Sequence, residues 1–188
     1  MKHFSICCFV FLISCSTYNI KRSLKNHEDA KALNRPYSIS LQVDSSGGLG
    51  SCALNKRDLR NYISRNLKEN PNINIVSTNQ AQYEIIVGAA CGGGKSYSAS
   101  TWGYLLTLSL IPMRQDENIL LSVKVARKKT NDRSPSSIIK RDGLVLDAAH
   151  GLYFPTPLFL GEMSGSTNKK IASHLSYDII QQLNELEQ

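Results

Sequence analysis

The side chains that could carry out acid–base chemistry are few. Local motifs that place reacting groups together are His-Glu-x-x-His for zinc hydrolysis, Gly-x-Ser-x-Gly for serine hydrolysis and Cys-x-x-Cys for thiol exchange. None of these motifs occurs, and His150 and His174 are the only histidines of the predicted domain. No spacing pairs the acids Asp58, Glu84, Asp142 and Asp147. The sequence therefore nominates no catalytic residue, and we expect His174 to lie at the surface or the edge of the core.

A glycine-rich segment from Gly88 to Ser96 follows a predicted strand and invites comparison with a phosphate-binding loop. That loop needs four residues between its first glycine and Gly-Lys, whereas five separate Gly88 from Gly94-Lys95. The residues after it, Tyr97 to Thr101, are not typical of a helix start that would direct amide groups at a phosphate. We interpret the segment as a flexible glycine turn, and the sequence indicates no cofactor and no metal site.

An apolar run from Phe4 to Ile13 follows the basic residue Lys2. It is far shorter than the ~20 residues of a membrane-spanning helix and is typical of a signal peptide. The run ends in Leu12-Ile13-Ser14-Cys15, which resembles the lipobox of bacterial lipoprotein precursors. The alternatives are an ordinary secretory signal cut elsewhere and a buried amino-terminal strand.

The lipobox resemblance implies that residues 1–14 are removed and that Cys15 is diacylated as the first residue of the mature chain. It also implies export to the outer membrane of a double-membrane cell, since Ser16 is not the acidic residue typical of inner-membrane retention. The acyl chains on Cys15 would then hold the protein to that membrane, with the periplasmic face favoured over the cell surface.

The remaining cysteines suggest a disulfide. Cys7 and Cys8 leave with the signal and Cys15 is consumed by lipid, so Cys52 and Cys91 remain in a compartment where thiols are commonly oxidised. Each lies beside a glycine-rich turn, and we predict that they pair. The prediction fails if the strand before Cys91 runs antiparallel to the first strand of the domain, and the alternatives are two isolated thiols or half a metal site.

Composition indicates one globular domain. About 170 residues remain after cleavage, enough for a single core, with 41% hydrophobic and 20% charged residues in the whole chain. We predict a signal peptide at 1–14, a lipidated amino terminus and flexible tether at 15–36, and a single domain at 37–188. The net charge of +7 would indicate nucleic acid in the cytosol. In the envelope, lipid phosphates and anionic polymers are the expected counter-charges.

The first half of the domain has a clear pattern. Alternating apolar residues predict a strand over 37–43, and Asn55 begins a helix with Asp58 in a capping box. The apolar stripe of this helix is Leu59, Ile63 and Leu67, joined by Tyr62. Short β-branched runs predict strands over 73–76 and 83–87. This strand-helix-strand-strand order over 37–90 resembles the small α/β domains of periplasmic proteins such as the amino-terminal domain of TolB.

The second half closes the predicted fold. Alternation over 119–125 and 138–146 predicts a hairpin, and Ser166 or Thr167 can cap a closing helix. The stripe of that helix is Ile171, Leu175, Ile179 and Leu183. We therefore predict an α+β or α/β two-layer sandwich, in which a mixed, largely antiparallel sheet carries two main helices on one face.

Two apolar segments, 102–113 and 152–160, are candidates for an interaction surface. Their large side chains include Trp102, Leu106, Phe154 and Phe159. We predict that the segments lie together, either as core or as a surface that meets the membrane or a partner. The first resembles a segment of many uncharacterised bacterial lipoproteins.

The positive charge gathers in the hairpin loop at 127–136 and in Lys140 and Arg141. The loop has no aromatic side chain to stack bases, which argues against nucleic acid. We expect a solvated tip, with anionic lipid headgroups as the functional alternative.

These features favour a lipid-anchored envelope protein with a non-catalytic binding or assembly role, partnered by an envelope protein complex or anionic lipid. The alternatives are an envelope hydrolase acting on cell-wall or lipid substrates, which would need a pocket holding His150 with an acid, and a small-ligand carrier, which would need an apolar cavity.

Overall fold

The computed structural model describes residues 14–47, 54–92, 113–128, 137–152 and 162–186. The described strands are β1 (Ser14–Ile20), β2 (Tyr37–Gly47), β3 (Ile73–Ile75), β4 (Tyr83–Gly92), β5 (Met113–Arg127), β6 (Ser137–Leu152) and β7 (Glu162–Met163). The helices are α1 (Lys56–Lys68) and α2 (Ser164–Glu185), with a short 3₁₀ helix at His27–Asp29.

The strands form one sheet in the order β3-β2-β4-β5-β6-β1-β7. β2 is parallel to β3 and β4, and the other neighbouring pairs are antiparallel. The sheet is thus mixed and largely antiparallel, and with its two helices the domain has the predicted α+β class. Its edge strands are only three and two residues long, which limits the unpaired backbone that could template pairing with another chain.

One face of the sheet carries the core. In β2 and β5 every second side chain is buried, as the predicted alternation requires, and β4 follows the same pattern. These residues meet the apolar stripes of both helices. Asn55 caps α1, its side-chain oxygen accepting from the amides of Arg57 at 2.9 Å and Asp58 at 3.3 Å. The opposite face is more polar, although Leu120 and Ile139 are about half exposed there, at 52% and 54%.

Several element boundaries differ from the sequence prediction, and β2 and β5 are both longer than predicted. α2 begins at Ser164, directly after β7, so Ser166 and Thr167 lie within the helix and neither is its cap. β6 continues through His150 to Leu152, residues predicted to begin a loop, because they pair with β1. β4 continues past Gly88, where a side chain would place Cβ 2.4 Å from Ser122 Oγ on the neighbouring strand. The glycine turn predicted over Gly88 to Ser96 therefore does not begin at Gly88, since residues 88–92 belong to β4; residues 93–96 lie outside the described residues.

The segment predicted as a flexible tether is packed onto the domain instead. β1 pairs with β6 along its whole length, and Tyr18 and Leu33 belong to the buried core. The side chain of Asn72 donates to the Leu33 carbonyl at 2.6 Å. The carboxylate of Asp116 accepts from the Lys21 ammonium at 2.7 Å, and this hydrogen bond raises the pKa of Lys21. The tether prediction was wrong because isolated apolar residues fill core positions without forming a period.

The strand register defines two ends of the sheet. At one end, which we call the cysteine end, Ser14 of β1 pairs with Leu152 of β6, and Met113 of β5 pairs with His150. At the other, the hairpin end, Tyr83 pairs with Arg127. Since β5 has 15 residues, the two ends are about 50 Å apart at ~3.3 Å per residue.

Candidate functional site: a basic cavity over the last helix

A cavity of about 630 Å³ lies between the end of β1, the segment after it, α1 and the first turns of α2. The segment 22–28 crosses over α2 and forms one wall, so the cavity exists only because the predicted tether is packed. On α2, Ser166, Lys169, Lys170 and Ser173 share one face because they are spaced at helical intervals of three and four.

Charge is the distinguishing property of this cavity. Among the described residues, four cationic ones line it, Arg22, Lys25, Lys169 and Lys170, and one acidic one, Glu28. Glu28 is exposed and accepts a hydrogen bond from the Asn26 amide at 3.3 Å. The described lining therefore carries net positive charge, which suits an anionic ligand better than the purely apolar ligand of the carrier alternative.

A serine, a histidine and a glutamate meet at the cavity wall. His27 Nδ1 lies 2.9 Å from Ser173 Oγ, and Nε2 lies 2.9 Å from Glu69 Oε2. The Ser173 hydroxyl donates to Asn26 Oδ1 at 2.6 Å and accepts from the His27 backbone amide at 3.0 Å. These bonds join the amino-terminal segment to both helices.

The geometry of this trio is not that of a serine hydrolase. In such enzymes the imidazole Nε2 takes the serine proton and Nδ1–H is held by the acid, whereas here the two nitrogens have exchanged partners. The single hydroxyl proton of Ser173 is already directed at Asn26. Ser173 also lies inside α2, where helical hydrogen bonds occupy the backbone amides that an oxyanion hole would need. The trio therefore fixes the segment in place and provides no activated nucleophile.

A second histidine is buried in a charged network below the cavity. His174 Nδ1 accepts from the Lys25 backbone amide at 3.3 Å, so Nε2 carries the proton and donates to Asp142 Oδ2 at 3.1 Å. Asp142 is also bound by the Arg22 guanidinium. Burial alone would raise the pKa of the Asp142 carboxyl, but the hydrogen bonds from His174 and Arg22 hold it below its usual value.

Asp178 lies one helical turn after His174, with Oδ2 at 3.8 Å from Nε2, and is bound by the Lys140 ammonium from β6. Every acid of the network thus has a cationic or N–H partner. Among the described residues, no group of three His, Cys, Asp or Glu side chains could hold a metal ion.

Sequence reasoning missed this network. It treated His174 as a surface or core-edge residue and found no partner for Asp142, yet the two are bonded and His174 is 4% exposed. A signal was available: Lys140 and Asp142 are in phase with Leu144 and point to the helix-covered face of β6. Two charged residues on a buried face require partners on the helix above.

A second basic cavity, of about 520 Å³, lies at the hairpin end. Arg35, Arg127 and Lys128 line it with the rings of Tyr37 and Tyr83, which are 5.6 Å apart between centroids. The described residues that line this cavity include no carboxylate. Arg127 and Lys128 of the predicted basic loop thus line this cavity together with Arg35.

The other predicted site residues have mixed outcomes. Cys15 lies in β1 opposite Gly151. Cys91 is half-buried near the end of β4, whereas Cys52 lies outside the described residues, so the disulfide stays a prediction. The disulfide was predicted to fail if the strand before Cys91 ran antiparallel to the first strand of the domain. The two strands are parallel, and Gly47 of β2 pairs with Ala90 of β4. The four residues of the predicted interaction surface also lie outside the described residues: Trp102, Leu106, Phe154 and Phe159.

No family model and no curated protein matches this chain. Among solved structures, the dodecamer of a PelC variant from Paraburkholderia phytofirmans is similar at a TM-score of 0.36 and 9% sequence identity, over 88% of this chain and 96% of that chain. A likeness at this level carries no functional argument. No helix in the described part of the chain combines the length and apolar character that crossing a membrane would require.

Proposed function

We propose that this protein is a lipid-anchored component of the bacterial envelope, held at the periplasmic face of the outer membrane, with a non-catalytic role in binding or assembly. The lipobox resemblance at Leu12–Cys15 supplies the anchor. The observation that carries the proposal further is the direct continuation of Cys15 into β1, which is paired with β6 from its first residue.

This continuity has a mechanical consequence. A lipid on Cys15 would be joined to the sheet without a flexible linker, so the cysteine end would face the bilayer. Met113 and Leu152, the last residue of one apolar segment and the first of the other, lie at the same end. We therefore favour membrane or partner contact near the anchor for those segments, as the interface alternative expects.

The hairpin end would then point away from the membrane, about 50 Å from the anchor at ~3.3 Å per residue. Its cavity, lined by Arg127, Lys128 and two tyrosines, would be presented to acidic partners in the periplasm. Headgroups of the anchoring membrane are too far away to be its ligands. We accordingly favour an envelope protein complex over anionic lipid as the partner of this end.

The anchor is tested by mass spectrometry and fractionation. We expect the mature protein to lack residues 1–14 and to carry acyl chains on Cys15, and we expect Cys15→Ala to leave an unprocessed precursor or a soluble domain. Each buried methylene contributes ~0.8 kcal/mol, so two or three chains outweigh any headgroup attraction. Cys7→Ala/Cys8→Ala, within the signal, is the matched control and should be acylated normally. A Cys15→Ala protein that is processed and stays with membranes in high salt would contradict the proposal.

A further inference from the structure

We infer that the cavity over α2 binds a small organic phosphate. This site is separate from the lipid anchor and from the hairpin-end cavity of the proposed function. This inference does not depend on acylation of Cys15. It is carried by the charge, the buried polar group and the apolar wall of one cavity.

The first observation is the number of cations. Lys25 comes from the amino-terminal segment and Lys169 and Lys170 from α2, so basic residues line the cavity on two sides. Within the described part of the chain, neither Lys25 nor Lys169 makes an ion pair. Like charges gathered at one cavity repel one another, and a multivalent anion would relieve that repulsion.

The second observation is an unsatisfied donor. Asn66 of α1 lines the cavity and is only 7% exposed, and its Nδ2 has no hydrogen-bond partner among the described residues. Buried amide donors without partners are rare in folded proteins, because each costs the desolvation of the group. An acceptor oxygen on a bound ligand would satisfy it.

The third observation distinguishes the ligand class. Ile20 and Leu24, both partly buried against the core, also line the cavity, and its volume of about 630 Å³ far exceeds that of a single inorganic anion. Small-molecule sites in proteins typically have volumes of about 300 to 1,000 Å³, and they combine apolar walls with a few polar groups. A phosphate ester meets both demands, with its oxygens at the lysines and Asn66 and its organic part at Ile20 and Leu24.

Isothermal titration calorimetry on the full-length protein in neutral detergent tests this inference. The probe is sn-glycerol 3-phosphate, and acetate at equal ionic strength is the charge control. We expect saturable binding of the phosphate ester and weaker binding of acetate. Lys25→Gln/Lys169→Gln should weaken binding at least about tenfold, because charge-assisted hydrogen bonds are lost. Lys31→Gln/Lys56→Gln removes the same charge from exposed positions outside the cavity and should change binding less than about twofold.

A second arm identifies the source of the phosphate. If phosphatidylglycerol in the micelles displaces the soluble ester, the site takes lipid headgroups; if it does not, the site takes a soluble phosphate ester, and either result supports the inference. Absence of saturable binding would overturn it, as would equal loss in the two double variants. A failed membrane anchor would leave this measurement unchanged, so the two proposals are tested separately.

Discussion

The two ends of the sheet differ in charge and in the residues that gather there. At the cysteine end, Cys15 and the strand residues next to both apolar segments come together. At the hairpin end, Arg35, Arg127 and Lys128 surround two tyrosines. Long antiparallel strands keep these properties about 50 Å apart at ~3.3 Å per residue. Under the proposed function, the fold would hold the lipid anchor and the partner-binding cavity at opposite ends of the sheet.

Substitutions in the two apolar segments should have the largest effect, and they test whether the cysteine end is an interaction surface. If they belong to the core, Leu106→Asp and Phe159→Asp should each lower the free energy of unfolding by about 3 to 5 kcal/mol, the usual effect of losing a large buried apolar side chain. If they form an interface at the cysteine end, as we favour, both variants should unfold within about 1 kcal/mol of wild type and lose membrane or partner contact. Urea unfolding followed by circular dichroism, with Leu120→Asp on the exposed sheet face as the control, separates these outcomes.

Asp142 tests the connection between the amino-terminal segment and the rest of the domain. Asp142→Ala removes the partner of His174 and Arg22, and we expect a loss of about 2 kcal/mol in unfolding free energy. Amide exchange at Lys25, whose N–H is bonded to His174, should accelerate by more than exchange in β4. Unchanged exchange at Lys25 would show that the network does not hold the segment.

The same residue predicts a dependence on pH. Because the pKa of Asp142 in the fold lies below its usual value of 3.8, the carboxylate contributes stability at pH values above about 4. That contribution is lost as the pH falls through the lower folded-state pKa. The difference in melting temperature between wild type and Asp142→Asn should therefore be full at about pH 6 and shrink below about pH 4. A difference that stays constant from about pH 6 to about pH 2.5 would exclude this role.

Substitutions at the hairpin end should have the smallest effect, because we expect this end not to contact the membrane. Contact with headgroups would contribute on the order of 1 kcal/mol per basic residue, so Arg127→Gln/Lys128→Gln would weaken vesicle binding about 30-fold if these residues touched lipid. We expect less than about a twofold change on phosphatidylglycerol vesicles, measured on Cys15→Ala protein with residues 1–14 removed, so that neither acyl chains nor the apolar signal segment contributes. Lys31→Gln/Lys56→Gln provides the charge-matched control. A large, selective loss would remove the contrast between the two ends.

The sequence predicted the parts of the fold that have a period. Alternation identified β2 and β5, and a β-branched run identified β4. The stripes Leu59–Leu67 and Ile171–Leu183 identified the two helices, and the buried residues of all these elements lie in the core. The amino-terminal segment was missed because Tyr18 and Leu33 are separated by polar residues and are buried only by tertiary contacts.

The basic cavity could not be predicted for a similar reason. Its cations come from two distant stretches of the chain, at Lys25 and at Lys169, and only the packing of the segment over α2 unites them. The His174–Asp142 bond likewise joins a helix to a strand. Spacing within one element reveals such pairs only when both partners lie on that element, as His174 and Asp178 do.

Neutron reflectometry of the acylated full-length protein on a supported bilayer tests the separation of the two ends most directly. We predict a protein layer about 50 Å thick with its density beginning at the headgroups, because the sheet stands on its cysteine end. A layer about 25 Å thick, the depth of one helix packed on one sheet lying flat, would contradict this orientation.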